Sequence, residues 1–154
     1  MAGKNATPPR RVLLDTNIFL IGFTDDISAE NRVIDYLMAH RARTILLLSD
    51  EMCDQLVRTA KRVRDKDWAG LLLFYLWRDF AVGYVDLNET WDLVREYASK
   101  IPREDLLVFL TAMVGNADCF VSLNRKLLKA ALGQNPPFEC LTPEEFLGKY
   151  QTKE

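Results

Sequence analysis

Histidine is almost missing from this chain. Only His40 occurs in 154 residues, so a serine or cysteine triad with an imidazole base is very hard to build. Cysteine is scarce as well. Cys53, Cys119 and Cys140 are far apart, odd in number and without zinc-ligand spacing. They read as reduced, mostly buried core residues rather than as a disulfide framework or metal site. The 7 glycines form no GxGxxG, GxxxxGK or GxSxG pattern, so the usual nucleotide loops and the nucleophile elbow are absent. Long apolar runs are missing too. Ile45–Leu48 and Gly70–Trp77 are the longest, far below the roughly 18 residues of a membrane span. Met1–Arg11 is polar with two prolines and lacks the apolar centre of a secretion signal. The expected location is the cytoplasm, with no membrane partner. There the triplets Asn5-Ala6-Thr7 and Asn88-Glu89-Thr90 carry no glycosylation signal. No charge of one sign dominates: the net charge is -2, so any nucleic-acid binding must come from local basic patches.

With 49% hydrophobic and 27% charged residues, the chain has the composition of a globular protein with a substantial core. Its length suits one domain, expected over residues 11–150 behind a flexible tail of residues 1–10. Short apolar runs alternate with helical patterns. Strands are expected at Arg11–Leu14, Thr44–Leu48, Val82–Val85, Cys119–Val121 and Phe138–Leu141. Ser28 and Ser49 read as helix N-caps, Asn88 as the cap of a helix carrying Trp91, Val94 and Tyr97, and Pro102 as a helix start. His40 falls near the end of a helical segment and suits a helix C-terminus. Trp68–Trp77 reads as a helix apolar on more than one face, and Arg125–Leu132 as a short helix ended by Gly133 and Pro136-Pro137. Thr142-Pro143-Glu144-Glu145 has the capping-box pattern. The alternation predicts a three-layer α/β/α fold with a mostly parallel central sheet of about five strands.

In such a sheet, ligands bind at the C-terminal ends of the strands. Those ends offer Asp15 and Asn17, then Ser49, Asp50 and Glu51 with Asp54 and Gln55 one turn on, then Ser122 and Asn124. Asp105 opens the helix that leads into the fourth strand. These are oxygen donors without histidine or thiolate, which suit Mg²⁺ or Mn²⁺. Each also has an ordinary structural explanation. Asp15 suits an Asx turn, while Asp105, Glu51 and Asp54 suit helix N-termini. Arg58, Lys61 and Arg62 suit a solvated helix face as readily as an RNA-binding one, and Arg125 and Lys126 open another helix.

Taken together, Val12-Leu13-Leu14-Asp15-Thr16-Asn17, Leu47-Leu48-Ser49, Asp105 with Leu106, Leu107 and Ala112, Ala117 to Leu128, and Leu141 to Leu147 resemble the PIN-domain family in order and spacing. The likeness runs from Arg11 to Lys149. It implies a Mg²⁺- or Mn²⁺-dependent endoribonuclease, often the toxin of a toxin–antitoxin pair with a small antitoxin protein as partner, and often a homodimer. It also implies that Asp15 and Asp105 are the first and third acids. The sequence departs from the family at two positions: Asn124 stands where the fourth acid is usual, and Gln55 where the second is. Glu51, four residues before Gln55 on the same helix face, is the expected replacement, with Asp54 after it. Asp118 begins the fourth strand, so it falls at the far end of the sheet and reads as structural. The rival reading is a degenerate PIN domain that binds RNA or a protein partner without cutting.

Overall fold

The computed structural model describes residues 6–151. A five-stranded sheet runs in the order β3-β2-β1-β4-β5, formed by β1 (Arg11–Leu14), β2 (Ile45–Ser49), β3 (Ala81–Val85), β4 (Cys119–Val121) and β5 (Glu139–Leu141). Every pairing is parallel, with Val12 beside both Leu46 and Cys119. The central strands β1, β2 and β4 carry short apolar runs because both faces are covered there, while the edge strand β3 leaves Tyr84 exposed. Alternation decides which face each residue serves. Val12, Leu14, Leu46, Leu48, Cys119 and Val121 enter one core, while Leu13, Leu47 and Phe120 enter the other.

Four helices connect the first three strands: α1 (Thr16–Gly22), α2 (Ala29–Ala39), α3 (Asp50–Val63) and α4 (Lys66–Asp79). Together with α8 (Pro143–Tyr150) they cover the first face. The chain then returns across the sheet through α5 (Trp91–Tyr97), a 3-10 turn (Arg103–Asp105) and α6 (Leu106–Val114), and α7 (Arg125–Leu132) joins β4 to β5. Residues of α6 and α7 fill the second core. The reversal of direction therefore lies between β1 and β4, and a parallel sheet opens its ligand crevice at such a switch point. Gly115, just after α6, comes so close to the sheet that a Cβ there would lie 2.8 Å from both Val85 and the Thr111 carbonyl.

Most caps are where the sequence signals them. Ser28 accepts from the Asn31 N–H, and Thr142 and Glu145 form a complete capping box. The α2 C-cap is His40, whose Nδ1 lies 2.7 Å from the Tyr36 carbonyl while its ring stacks on Tyr36. Asn88 is not a cap. Its backbone N–H donates to Asp86 in a turn, and α5 starts after Thr90 without a side-chain cap. Nor does α5 bury any residue fully, and Trp91 is 71% exposed. Helix α1 carries no polar–apolar alternation to signal it, since Ile18, Phe19 and Leu20 are consecutive and all buried. Gly133 ends α7 in a right-handed conformation, leaving Asn135 to take the positive φ.

Of the tail expected over residues 1–10, residues 1–5 lie outside the described residues. Ala6 packs against the first core, Pro9 is buried, and its carbonyl accepts from the Thr44 hydroxyl at 2.8 Å. Residues 6–10 are thus docked on the body by a buried hydrogen bond, not free of it. The cysteines are all unpaired as thiols: Cys119 and Cys140 are buried and Cys53 half-buried. Among the described residues, no helix is long and apolar enough to cross a membrane.

Candidate metal centre

The site grows from the end of β1. Asp15 leaves the strand with its backbone N–H bonded to the Val121 carbonyl of β4, which ties the two strand ends together. Its side chain is buried and does two things. Oδ1 accepts from the Thr16 N–H at 2.8 Å and so caps α1, while Oδ2 accepts from the Ser122 hydroxyl at 2.7 Å. The turn-capping role and the site role therefore belong to the same carboxylate. Burial pushes its pKa up, and the bonds from Ser122 and Thr16 pull it back down.

Ser122 Oγ also accepts from the Asn124 N–H at 3.0 Å. Asn124 is the N-cap of α7: its Oδ1 accepts from the Leu127 N–H at 3.1 Å, and its Nδ2 donates to Asp105 Oδ2 at 3.4 Å. A short chain of polar contacts therefore links Asp15 through Ser122 and Asn124 to Asp105. Asp105 is the residue before α6, brought to the switch point because α6 runs antiparallel to the strands. Its pKa is pushed up to about 6, first by burial, then by the Asp15 charge and Glu104, with Lys126 acting against them. The Asp15 charge thus opposes ionisation of the half-buried Asp105, and a cation between them would relieve that cost.

The helix acids are placed differently. Glu51 is half-buried and lines a groove of about 300 Å³ with Leu87, Trp91, Leu106 and Leu107. It thus faces the residues that directly follow Asp105. Asp54 is exposed and Gln55 half-buried. Among the described residues, no three acids, histidines or cysteines stand together as a ready metal-binding group. Asn17 is exposed on the first turn of α1. Ser49 is fully buried. Its hydroxyl lies 2.9 Å from that of Thr111, which donates in turn to the Leu107 carbonyl. Ser49 is therefore the donor to Thr111, and the pair clasps β2 to α6. Thr111 is a residue that the sequence reasoning missed; its only signal is a hydroxyl inside the apolar run Leu106–Val114. Asp50, offered at the same strand end, accepts from the exposed Tyr84 hydroxyl at 2.9 Å.

The basic residues divide. Lys126 acts on Asp105 and so belongs to the acid pair's surroundings. Arg125 lies instead against the α8 side, with Thr142 and Glu145. Arg58, Lys61 and Arg62 are exposed along α3. Asp118 is at the other end of the sheet, where its carboxylate accepts from the Arg11 N–H at 2.9 Å.

No family model matches the sequence, and no curated protein matches it either. Solved structures do resemble it. VapBC2 from Rickettsia felis, solved bound to a DNA fragment from its promoter, matches with a TM-score of 0.62 at 17% identity, covering 86% of this chain and 98% of that one. PAE2754 from Pyrobaculum aerophilum matches with a TM-score of 0.56 at 15% identity, covering 94% of this chain and 90% of that one. With the strand order, these likenesses make the fold PIN-like.

Proposed function

We propose that this chain, on its PIN-like fold, is a divalent-metal-dependent nuclease that hydrolyses RNA phosphodiester bonds. The observation that carries the reading is the pairing of Asp15 and Asp105 at the switch point, with the Asp105 carboxyl pushed up to about 6 partly by its neighbour. The donors around that pair are oxygens, and the excess of negative charge fits a hard cation, Mg²⁺ or Mn²⁺. Asp15 and Asp105 would hold it, with Glu51 ahead of the exposed Asp54 as the third carboxylate. A divalent ion bound there supplies positive charge against the charge that develops on a phosphodiester undergoing hydrolysis.

The chain's own residues have separate tasks. Ser122 donates to Asp15 and fixes which carboxylate oxygen stays free of the α1 cap. Asn124 orients Asp105 while capping α7. Lys126, whose charge acts on Asp105, would meet a backbone phosphate. Arg58, Lys61 and Arg62 extend a basic face along α3 for more of the strand.

Two partners follow from the same reading. The likeness to VapBC2 supports a small antitoxin protein. Leu71, Phe74 and Trp77, half-exposed along α4 at 50%, 56% and 53%, support a homodimer through that face. The location in keeping with this role is the cytoplasm, and the functional unit is the single domain of residues 11–150. A second reading has its own observation. Asn124 is committed to capping α7, and among the described residues no third acid joins Asp15 and Asp105, which favours a domain that binds RNA or a partner without cutting.

Incubation of mixed RNA substrates with the purified chain, with Mn²⁺ and with chelator, separates the two readings. Cleavage that requires Mn²⁺ is the expected result. Binding to RNA without any cleavage at millimolar Mn²⁺ would establish the second.

A further inference from the structure

At the opposite end of the sheet, where the strands begin, lies a cavity of about 590 Å³. Arg10, Arg11, Arg41 and Arg43 all line it, with Asp118 as its only acid. The chain as a whole carries a net charge of -2, so this is a local reversal of sign. Among the described residues, none of the four guanidinium groups has a carboxylate within ion-pair distance. The one acid present is already engaged by the Arg11 backbone N–H.

The ordinary role of arginines here is to compensate helix C-termini, since α2, α4 and α6 all end at this edge. Arg11 does that: its Nε donates to the Gly115 carbonyl just after α6, at 2.7 Å. Arg10, Arg41 and Arg43 make no such side-chain bond among the described residues, although they come from two separate segments and converge on one concavity. Like charges gathered in a hollow repel one another and raise the local affinity for an anion. Guanidinium groups match phosphate oxygens in planar, paired hydrogen bonds. No aromatic side chain lines the cavity, so it has no platform for stacking a base. The recognition it offers is for phosphate groups.

We propose that this cavity is a second binding site, distinct from the acid pair, that takes a ligand bearing two or more linked phosphates. Its volume admits a nucleotide-sized molecule. The shared chemistry can reach it as a free nucleoside triphosphate or as the 5′-phosphorylated end of an RNA.

Titration calorimetry with tripolyphosphate in the presence of chelator tests the site without involving the acid pair. Saturable binding at one site per chain is expected, weakening steeply as salt is raised. The double variant Arg41→Gln/Arg43→Gln, at exposed positions, should bind at least tenfold more weakly. Arg32→Gln/Arg95→Gln, at exposed positions on α2 and α5 outside the cavity lining, should bind like the parent. Comparing ATP with 5′-triphosphorylated and 5′-hydroxyl oligonucleotides then identifies the source. ATP alone competing with tripolyphosphate means a free nucleotide, and competition that needs the oligonucleotide's 5′-phosphates means an RNA end. Absence of tripolyphosphate binding, or binding that the Arg41/Arg43 variant leaves intact, overturns the proposal. A variant that melts earlier while the parent binds no polyphosphate also overturns it, and assigns these arginines to helix compensation alone.

Discussion

The two ends of the sheet are built from the same strands and carry opposite chemistry. At the C-terminal end, Asp15 and Asp105 are drawn together and Ser122 and Asn124 connect them. At the N-terminal end, four arginines line a hollow. The polarity of a parallel α/β fold favours this split. Helices that follow strands begin at the first end and present N–H groups, and helices that precede strands finish at the second and present carbonyls. Helix polarity thus chooses the sign of charge at each end but does not settle its cost. Asp105 stands at a helix start and its carboxyl is still pushed up to about 6, because burial and the Asp15 charge outweigh the favourable position.

The largest effect should come from removing one acid. Asp15→Asn keeps the shape and hydrogen-bonding capacity that cap α1 but removes the ligand charge. Cleavage of RNA should fall at least about 100-fold, a loss typical of a principal electrostatic group, while the far-ultraviolet spectrum stays that of the parent. Parent-rate cleavage by the folded variant would break the assignment of this end as the metal site.

The ranking of the helix acids sharpens it. Because Glu51 faces the groove that follows Asp105 and Asp54 is exposed, Glu51→Gln should weaken Mn²⁺ affinity by about tenfold, within the usual range for one supporting group. Asp54→Asn should change it much less, as isothermal titration would show. A reversed order would move the third carboxylate to Asp54, and no effect from either would favour the non-cleaving reading.

The clasp behind the site is a stability test. Thr111→Val leaves the buried Ser49 hydroxyl without its acceptor, at a cost of about 1–3 kcal/mol. A urea midpoint unchanged from the parent would show that the Ser49–Thr111 contact does not hold β2 to α6.

The smallest effect is a pH dependence at the acidic end. The Asp105 carboxyl is raised in the folded state, so folding favours its proton. The stabilisation is complete below the ordinary carboxylate range near pH 4 and is lost as pH rises through about 6. In metal-free protein, lowering the pH from 7 to 5 should therefore add stability at this group. Discounted for the solvent around a partly exposed carboxyl, the gain is on the order of 1 kcal/mol. The difference between parent and Asp105→Asn in paired melts should shrink in step. The arginine end contributes no such term because guanidinium stays charged throughout. A parent–variant difference flat from pH 7 to 5 would remove the coupling between the two acids.

Much of this was legible in the residues. Leu13-Leu14-Asp15 reads as an apolar strand handing over an acid, and Asp15 does stand at that strand end. The caps at Ser28, Ser49 and Thr142 are local events between residues three apart. Helix α1 was not legible, because buried consecutive apolar residues carry no helical period. The apolar helix α4 also turned out differently from a fully buried one: Ala69, Leu72 and Leu76 are covered, while Leu71, Phe74 and Trp77 stay half-exposed. Composition alone cannot say which face the neighbours occupy.

The residue pattern alone carries the strand–helix alternation of a parallel α/β sheet and the apolar character of its central strands. These depend on periodicity and side-chain type, which are properties of neighbours along the chain. Packing of the layers links Asp15 to Asp105 through Ser122 and Asn124, brings Thr111 to Ser49, and lines one cavity with arginines about 30 positions apart. Those outcomes rest on strand order and on the return of α6 across the sheet. Contacts between residues about 60 to 110 positions apart are fixed by how layers pack, and no local pattern records them.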